Sequence, residues 1–265
     1  YLGGERRNDR RTMATSPTRR SLRAALLLGM TALASTRAFA QEAEAATGAD
    51  IVCACVSADQ DVRAMFDAAA PAMQAGAVFV DHSTASAKLA RTLAEEAAAK
   101  GLGCLDAPVS GGQAGAEAGR LTIMIGGEAA DVAKAEPVLK AYGANITHIG
   151  PAGAGQLAKM VNQICIAGVL QGLAEGLAFA KAADLDVAAV IAAISKGAAQ
   201  SWQMENRWKT MDEGRFDFGF AVDLMRKDLG LVLDEARANG AGLELTKLVD
   251  QYYAEVQAMG GARWD

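Results

Sequence analysis

The feature that most constrains the fold is a change of pattern about halfway along the chain. Between residues 48 and 150, short runs of β-branched and other apolar residues alternate with alanine-rich stretches of helical length. Such alternation is typical of an α/β layer structure with a largely parallel sheet. Beyond Gly155 the β-like runs stop, and the remaining segments have helical length. The sequence therefore predicts an α/β domain followed by an all-helical domain.

The expected elements follow from this pattern. The predicted strands cover residues 51–56, 77–81, 104–109, 121–125 and 146–149, and the helices between them cover 59–74, 85–100 and 129–142. The predicted helices of the second part cover residues 157–181, 187–195, 202–212, 221–238 and 243–259. A Gly/Pro turn at residues 150–153 separates the two parts, so a cleft between them is the expected ligand site.

Composition narrows the class of partner. With 265 residues, of which 51% are hydrophobic and 22% charged, the chain can bury a sizeable core. The formal net charge of -5 argues against nucleic acid as a partner. The apolar run at residues 24–34 is too short to span a bilayer as a helix, so no membrane partner is expected either.

The first forty residues differ from the rest because they carry eight arginines against Glu5 and Asp9. Residues 18–40 combine a basic flank, a short apolar stretch and the small-residue pattern Ala38-Phe39-Ala40, as a secretory signal does. A surface helix, a disordered arginine-rich leader and a segment foreign to the original protein are the alternatives. We assign residues 1–40 to an atypical basic leader, 41–150 to a partial α/β domain and 151–265 to a helical domain.

The cysteines and histidines do not suggest a metal centre. The chain has four cysteines and two histidines, and their spacing does not fit a zinc site. The cysteines lie in apolar runs, where a thiol behaves as a small hydrophobic group. Free thiols favour a reducing compartment and therefore the cytoplasm, with export through the signal-like segment as the alternative.

A glycine turn at residues 153–155 opens the longest helical stretch and leads to Lys159 and Asn162. These residues are one helical turn apart, so both side chains point to the same side of an apolar helix. Burial and a nearby helix N-terminus each lower the pKa of a lysine toward the range useful for proton transfer. Lys159 is therefore a candidate general acid or base. The same spacing also fits a lysine that extends to water beside an asparagine that satisfies backbone groups.

A second candidate site follows the predicted strand at residues 104–109. Ser110 offers a hydroxyl, and Gly111 and Gly112 allow backbone N–H groups to close around an anion without interference from Cβ atoms. This loop could hold a small carboxylate. An ordinary glycine turn at the end of a strand has the same composition.

A third motif, Arg226-Lys227-Asp228, lies on a helix expected to pass the cleft. By itself it fits a solvated charge cluster. Trp202, Met204 and Phe218 could shape a substrate pocket, but packing of the helical core explains them as well.

In this order and separation, the three motifs closely resemble those of the β-hydroxyacid dehydrogenase family, which includes 3-hydroxyisobutyrate dehydrogenase and tartronate semialdehyde reductase. The resemblance covers roughly residues 48–265 and is most specific over residues 106–121. It implies a Rossmann-type domain, NAD or NADP as cofactor, and a helical domain that builds homodimers or homotetramers. The implied activity is the interconversion of a short β-hydroxyacid and its semialdehyde.

The resemblance also implies a role for each candidate residue. Lys159 would be the general acid/base, Ser110, Gly111 and Gly112 would hold the substrate carboxylate, and Asn162 would orient the reacting hydroxyl. The residues that would lie along the cofactor are Cys55, Val56, Ser57, Thr84, Lys227 and Asp228.

One departure from the family pattern concerns the N-terminal part. The family opens with a strand and a Gly-x-Gly-x-x-Gly turn that presents the cofactor pyrophosphate to a helix N-terminus. Here Gly3-Gly4 is followed by arginines, and Gly29 stands alone in an apolar run. We therefore expect an incomplete Rossmann-type domain and weak cofactor affinity. The alternative function is that of a catalytically silent homologue that dimerises or binds a carboxylate.

Overall fold

The computed structural model describes residues 24–28 and 43–265. It confirms the predicted fold class, because an α/β domain with a Rossmann-like sheet precedes a domain made of helices. The sheet ends at Gly150, and the first long helix of the second part begins at Ala154.

The strands of the first part form one sheet. Their bounds are β1 Ala24–Leu28, β2 Ile51–Cys55, β3 Val78–Asp81, β4 Gly103–Asp106, β5 Val109–Ser110, β6 Leu121–Gly126 and β7 Gly143–Gly150. Their spatial order is β1-β2-β3-β4-β6-β5, and β7 also pairs with β6. The first four strands are parallel to one another, as the alternating pattern predicts.

The helices of the first part connect these strands. After a helical turn over residues 43–46 (α1), the bounds are α2 Asp59–Ala69, a 3-10 turn at Ala70–Ala72, α3 Ala87–Ala99, α4 Gly112–Glu117 and α5 Ala129–Leu139. Helix α3 begins at Ser86, whose side chain accepts a hydrogen bond from the Leu89 N–H, a favourable N-cap arrangement.

The second part contains only helices among the described residues. Their bounds are α6 Ala154–Ala182, α7 Val187–Ile194, α8 Trp202–Asp212, α9 Val222–Asn239 and α10 Glu244–Ala258. Each corresponds to one of the five predicted helical segments. Helices α9 and α10 pack on α6, where Leu229 and Val249 are buried against Ala167.

Two features of the sheet go beyond the sequence expectation. Strand β4 pairs with β6 in the antiparallel sense, so the sheet is largely but not wholly parallel, as predicted. In addition, residues 24–28 of the predicted leader form β1, which pairs in parallel with β2. A strand edge exposes unpaired N–H and C=O groups, and β1 supplies the partner that the edge of β2 needs. The other residues of the predicted leader lie outside the described residues.

The central strands are buried on both faces, which explains their continuous apolar sequence. On one face, Val52 and Phe79 pack against Phe66 of α2 and Leu93 of α3. The other face has its own apolar cluster, in which Ile123 packs with residues of α5. Because β2, β3 and β4 are parallel and paired in register, their carboxyl ends lie side by side at one edge of the sheet.

The junction between the two parts is a direct contact between the sheet and α6. At the carboxyl end of β4, the Asp106 carboxylate accepts N–H bonds from Gly153 at 2.7 Å and Gln156 at 2.8 Å. The negative charge meets the positive end of the helix dipole and satisfies N–H groups that lack an intrahelical partner. The helix approaches so closely that a Cβ atom at Gly155 would overlap the backbone oxygens of Asp106 and Met124.

We expect Gly155→Ala to lower the free energy of unfolding by about 1–3 kcal/mol, because the added methyl group meets backbone atoms that cannot rotate away. Urea unfolding measures this change. Gly230→Ala in α9 is the matched control, since its Cβ would meet no atom within 4 Å. That variant should gain about 0.5–1 kcal/mol from the better helix propensity of alanine. Equal effects of the two substitutions would contradict the close approach of α6 to the sheet.

Candidate functional site

The candidate site lies where β2, β3 and β4 end side by side. Cys55 closes β2 and is followed by Val56 and Ser57, while Thr84 follows β3 and Ser110 follows β4. In open α/β sheets, ligands bind outside the carboxyl ends of the strands. The fold therefore brings these predicted residues to one edge of the sheet, although they are far apart in sequence.

The segment after β3 is tied to three neighbouring elements. Ser83 Oγ accepts the Val56 N–H at 2.9 Å, which joins the ends of β2 and β3. Gln156 of α6 reaches the same segment with both ends of its amide, because Nε2 donates to Ser83 O at 2.8 Å and Oε1 accepts the Ala85 N–H at 3.0 Å. Lys227 of α9 adds a bond from Nζ to Thr84 O at 2.5 Å. Thr84 is thus held between the sheet and the helical part.

Two buried carboxyl groups lie beneath this segment. Asp81 and Asp106 are register partners at the ends of β3 and β4. Burial raises the pKa of Asp81 to about 7, although hydrogen bonds from Ser83 oppose this increase. Burial also raises the pKa of Asp106, while the N–H groups of Gly153 and Gln156 favour its charged form. Asp106 therefore has the partners that a buried carboxylate needs.

Lys159 lies on α6, one turn beyond Gly155, and is only 7% exposed. In the described part of the chain, its ammonium has neither a hydrogen-bond acceptor nor an ion-pair partner within bonding distance. Burial lowers its pKa, the Asp228 carboxylate raises it, and the neighbouring charge of Lys227 lowers it further. A buried amine with a lowered pKa can exchange a proton at a pH nearer neutrality.

The residues of the Arg226-Lys227-Asp228 motif face three different environments. Arg226 pairs with Asp250 of α10, with Nε 3.0 Å from Oδ1, and so packs α9 on α10. Lys227 is half-buried and contacts Thr84, whereas Asp228 is buried. Asp228 Oδ1 is 2.9 Å from Lys227 Nζ, but the angle is unsuitable for a hydrogen bond. The interpretation of this motif as a solvated charge cluster is therefore wrong for Asp228.

Gln163 is a residue that the sequence analysis did not identify. It is buried on α6, and its Nε2 donates to Asp228 Oδ2 at 2.7 Å. Its Oε1 accepts a bond from Asn162 Nδ2 at 2.8 Å. Gln163 thus connects Asn162 to the carboxylate beside Lys159. A buried glutamine one helical turn after a buried lysine was a readable signal, since α6 is otherwise mostly apolar.

The loop after β4 has the backbone freedom that an anion-binding loop requires. Gly111 has φ +130° and Gly112 has φ +58°, values that favour glycine over residues with a Cβ atom. Ser110 is half-buried and pairs with Thr122 of β6. The binding of a carboxylate by this loop, and the approach of Lys159 to Ser110, remain predictions.

Other predicted residues lie in different surroundings. Met204 is buried in the packing of α6, α7 and α8, as core packing predicts. Trp202 is 58% exposed, and Arg207 lies 4.8 Å from its ring centre and 5.1 Å from that of Phe218. All four cysteines are free; Cys53 and Cys104 are buried as expected of core thiols, whereas Cys55 and Cys165 are exposed and are not core thiols. Cys55 is exposed because it closes β2 at the site edge.

The described residues fit the nicotinamide end of a dinucleotide. The edge formed by Val56, Ser57 and Thr84 is half-buried, and within the described part of the chain Asp228 Oδ1 is a buried oxygen without a hydrogen-bond donor. Lys227 lies between these groups. The segment after β1, where the family holds the pyrophosphate, falls outside the described residues.

Comparison with known proteins gives two family matches that together cover most of the chain. Residues 8–150 match the NAD binding domain of 6-phosphogluconate dehydrogenase, and residues 153–265 match the NAD-binding domain of NADP-dependent 3-hydroxyisobutyrate dehydrogenase. The first match begins within the predicted leader.

Individual relatives agree with these matches. An uncharacterised oxidoreductase of Shewanella frigidimarina is 60% identical over 84% of this chain and 77% of its own length. The 3-hydroxyisobutyrate dehydrogenase of Pseudomonas aeruginosa is 38% identical over 78% of this chain and 73% of its own. The structure of Mycobacterium tuberculosis 3-hydroxyisobutyrate dehydrogenase with L-serine superposes with a TM-score of 0.77 at 32% identity, covering 84% of this chain and 79% of that one.

We expect Gln163→Met to lower the free energy of unfolding by about 1–3 kcal/mol, because Asp228 loses its hydrogen bond while it stays buried. Thermal unfolding measures the change. Gln171→Met on the same helix is the control, since Gln171 bonds only to Glu175 at the surface. A Gln163 variant as stable as this control would show that the bond to Asp228 is energetically unimportant.

Proposed function

Because the chain belongs to the β-hydroxyacid dehydrogenase family of NAD(P)-dependent oxidoreductases, we propose that it interconverts a short β-hydroxyacid, similar to 3-hydroxyisobutyrate, and the corresponding semialdehyde. The observation that carries this proposal is the burial of the Lys159 side chain near the charges of Asp228 and Lys227. A lysine is rarely buried without a direct partner unless its proton has a use.

In the proposed reaction, Lys159 moves the proton of the alcohol. During oxidation, the neutral amine removes the hydroxyl proton while the carbon that bears the hydroxyl loses a hydride. When bound, NAD or NADP supplies the hydride acceptor. In the reverse direction, the Lys159 ammonium returns the proton to the carbonyl oxygen. Burial lowers the pKa of Lys159 and so shifts its equilibrium toward the neutral base that oxidation requires.

The neighbouring residues orient the substrate and the lysine. We assign the substrate carboxylate to the loop of Ser110, Gly111 and Gly112, and the reacting hydroxyl to Asn162. The hydrogen bond between Asn162 and Gln163 supports this role because it limits the rotation of the Asn162 amide.

The cofactor would lie along Cys55, Val56, Ser57 and Thr84. Lys227 of α9 would face the cofactor. Its Nζ donates to Thr84 O and so connects the helical part with the sheet part of the protein. We further propose that Asp228 keeps Lys227 in place across their 2.9 Å contact.

We expect Lys159→Ala to lower kcat by roughly 100- to 10,000-fold, the usual contribution of a general acid/base, with little change in NADH affinity. Steady-state oxidation of 3-hydroxyisobutyrate and fluorescence titration with NADH provide the two measurements. Lys181→Ala, at the exposed end of the same helix, is the control and should leave kcat unchanged. Unchanged turnover in Lys159→Ala would refute the assignment.

The titration also tests the second candidate function. The missing Gly-x-Gly-x-x-Gly turn favours a catalytically silent protein that dimerises or binds a carboxylate. Saturable binding of NADH or NADPH to the unaltered protein supports the enzyme. Its absence, together with the absence of turnover, favours the silent protein.

The pH dependence of oxidation should respond to Asp228. The Asp228 carboxylate stabilises the charged form of Lys159 and so raises its pKa. Asp228→Asn removes this effect, and therefore the acidic limb of the kcat/KM profile should move to lower pH. Asp234→Asn, an exposed position on the same helix, is the control and should leave the limb in place. A shift of the Asp228→Asn limb to higher pH would contradict the proposed identity of the base.

We also propose that a second copy of the chain covers the exposed apolar side of α6. Val161 and Phe179 are 60% and 72% exposed, and a cavity of about 490 Å³ lies between α6, α7 and the start of α8.

Among the described residues, α6 alone is long and apolar enough to cross a membrane. The hydrogen bonds from the start of α6 to Asp106 fix this helix to the sheet domain, so they favour association with a second copy of the chain over insertion into a membrane. A cytoplasmic location remains part of the proposal.

A further inference from the structure

His82 is a buried side chain that the proposed chemistry does not use. It is 7% exposed, with Nδ1 2.7 Å from Ala107 O and Nε2 2.8 Å from Tyr142 Oη. A carbonyl oxygen only accepts, so Nδ1 carries a proton. In the neutral ring protonated at Nδ1, Nε2 accepts a hydrogen bond from the Tyr142 hydroxyl. Burial lowers the pKa of His82 and so favours this neutral form, although the bond to Ala107 opposes the shift.

The arrangement continues to Cys53 on β2. Its Sγ lies 3.7 Å from Tyr142 Oη. Burial raises the pKa of both Cys53 and Tyr142, so both keep their protons. Since the Tyr142 hydroxyl donates to His82, the thiol donates to the Tyr142 oxygen. The bonds thus run in one direction, from Cys53 through Tyr142 and His82 to the carbonyl of Ala107.

Ala107 occupies a position that matters for the carboxylate-binding loop. Its N–H donates to Asp81 O at 2.7 Å and its C=O accepts from His82, so both of its backbone polar groups are bound to the segment around β3. Ser110 follows only three residues later, whereas His82 precedes Thr84 by two residues. The imidazole therefore connects the segment proposed to meet the cofactor with the segment proposed to hold the substrate.

We infer that His82 is a positioning residue that sets the carboxylate-binding loop, residues 108–112, relative to Thr84, with Tyr142 holding the ring in the required tautomer. This inference rests on the proposed function for its catalytic consequence. Its structural content, the restraint of the loop by the Nδ1 bond to Ala107, can be measured without turnover.

The experiment compares three substitutions in the full chain. His82→Phe keeps a ring but loses both bonds, His82→Asn retains a donor near the Nδ1 position, and Tyr142→Phe loses only the hydroxyl. We expect His82→Phe to raise the KM for 3-hydroxyisobutyrate by roughly 10- to 100-fold, the scale of a displacement near 1 Å, with a smaller change in kcat. His82→Asn should bring KM back toward the wild-type value.

The Tyr142→Phe variant should raise KM less than His82→Phe, and Tyr252→Phe at a partly exposed position is its control. A purely structural role would lower the active fraction and so the apparent kcat, leaving KM unchanged. That result, or an Asn variant no better than Phe, would overturn the inference.

Two measurements do not depend on activity. Amide hydrogen exchange of residues 109–112 should be faster in His82→Phe than in the wild-type protein, and equal rates would overturn the inference. Nitrogen-15 spectra should show His82 as a neutral ring protonated at Nδ1, with His148→Gln identifying the signal of the only other histidine. If the wild-type protein exchanges as expected but turns over no hydroxyacid, the proposed function fails while the restraint on the loop stands.

Discussion

The hydrogen bonds between the Asp106 carboxylate and the first N–H groups of α6 determine where everything else in the site lies. They place a charged group of the sheet at the positive end of a 29-residue helix, in a region from which water is largely excluded. The lack of a Cβ atom at Gly155 allows the helix to approach closely enough for these bonds to form. Lys159 lies one turn further along the same helix. The position of the helix therefore buries the Lys159 side chain, although its ammonium has no direct partner among the described residues.

The electrostatics of the site follow from this placement. Lys159 lies near the Asp228 carboxylate. Of the two buried carboxylates, Asp106 and Asp228, only Asp106 has backbone N–H partners for both oxygens. Asp228 receives one bond from Gln163 and faces Lys227 at an angle that leaves Oδ1 without a donor. An incompletely satisfied carboxylate beside a lysine with a lowered pKa is more useful for binding and proton transfer than for stability.

Much of the fold could be predicted because the hydrophobic period changes clearly between the two parts. The five helices of the second part and the parallel strands β2–β4 have strong local signals. The antiparallel pairing of β4 with β6 could not be predicted, because the alternation of strands and helices does not indicate the direction in which an individual strand joins the sheet. The candidate motifs identified Lys159 and Ser110 but not Gln156 or Gln163. The polar side chain of Gln163 on an otherwise apolar helix was a readable signal, but the elements that a glutamine amide bridges depend on the tertiary structure.

The amide of Gln156 imposes a mechanical condition on the protein. Its Nε2 donates to Ser83 O and its Oε1 accepts from the Ala85 N–H, so the two bonds to the segment after β3 require one orientation of the amide. Neither a glutamate nor a rotated amide could reproduce both bonds. A displacement of the helix that breaks one of these bonds also strains the other, so the Gln156 amide couples the base of the long helix to the strand ends.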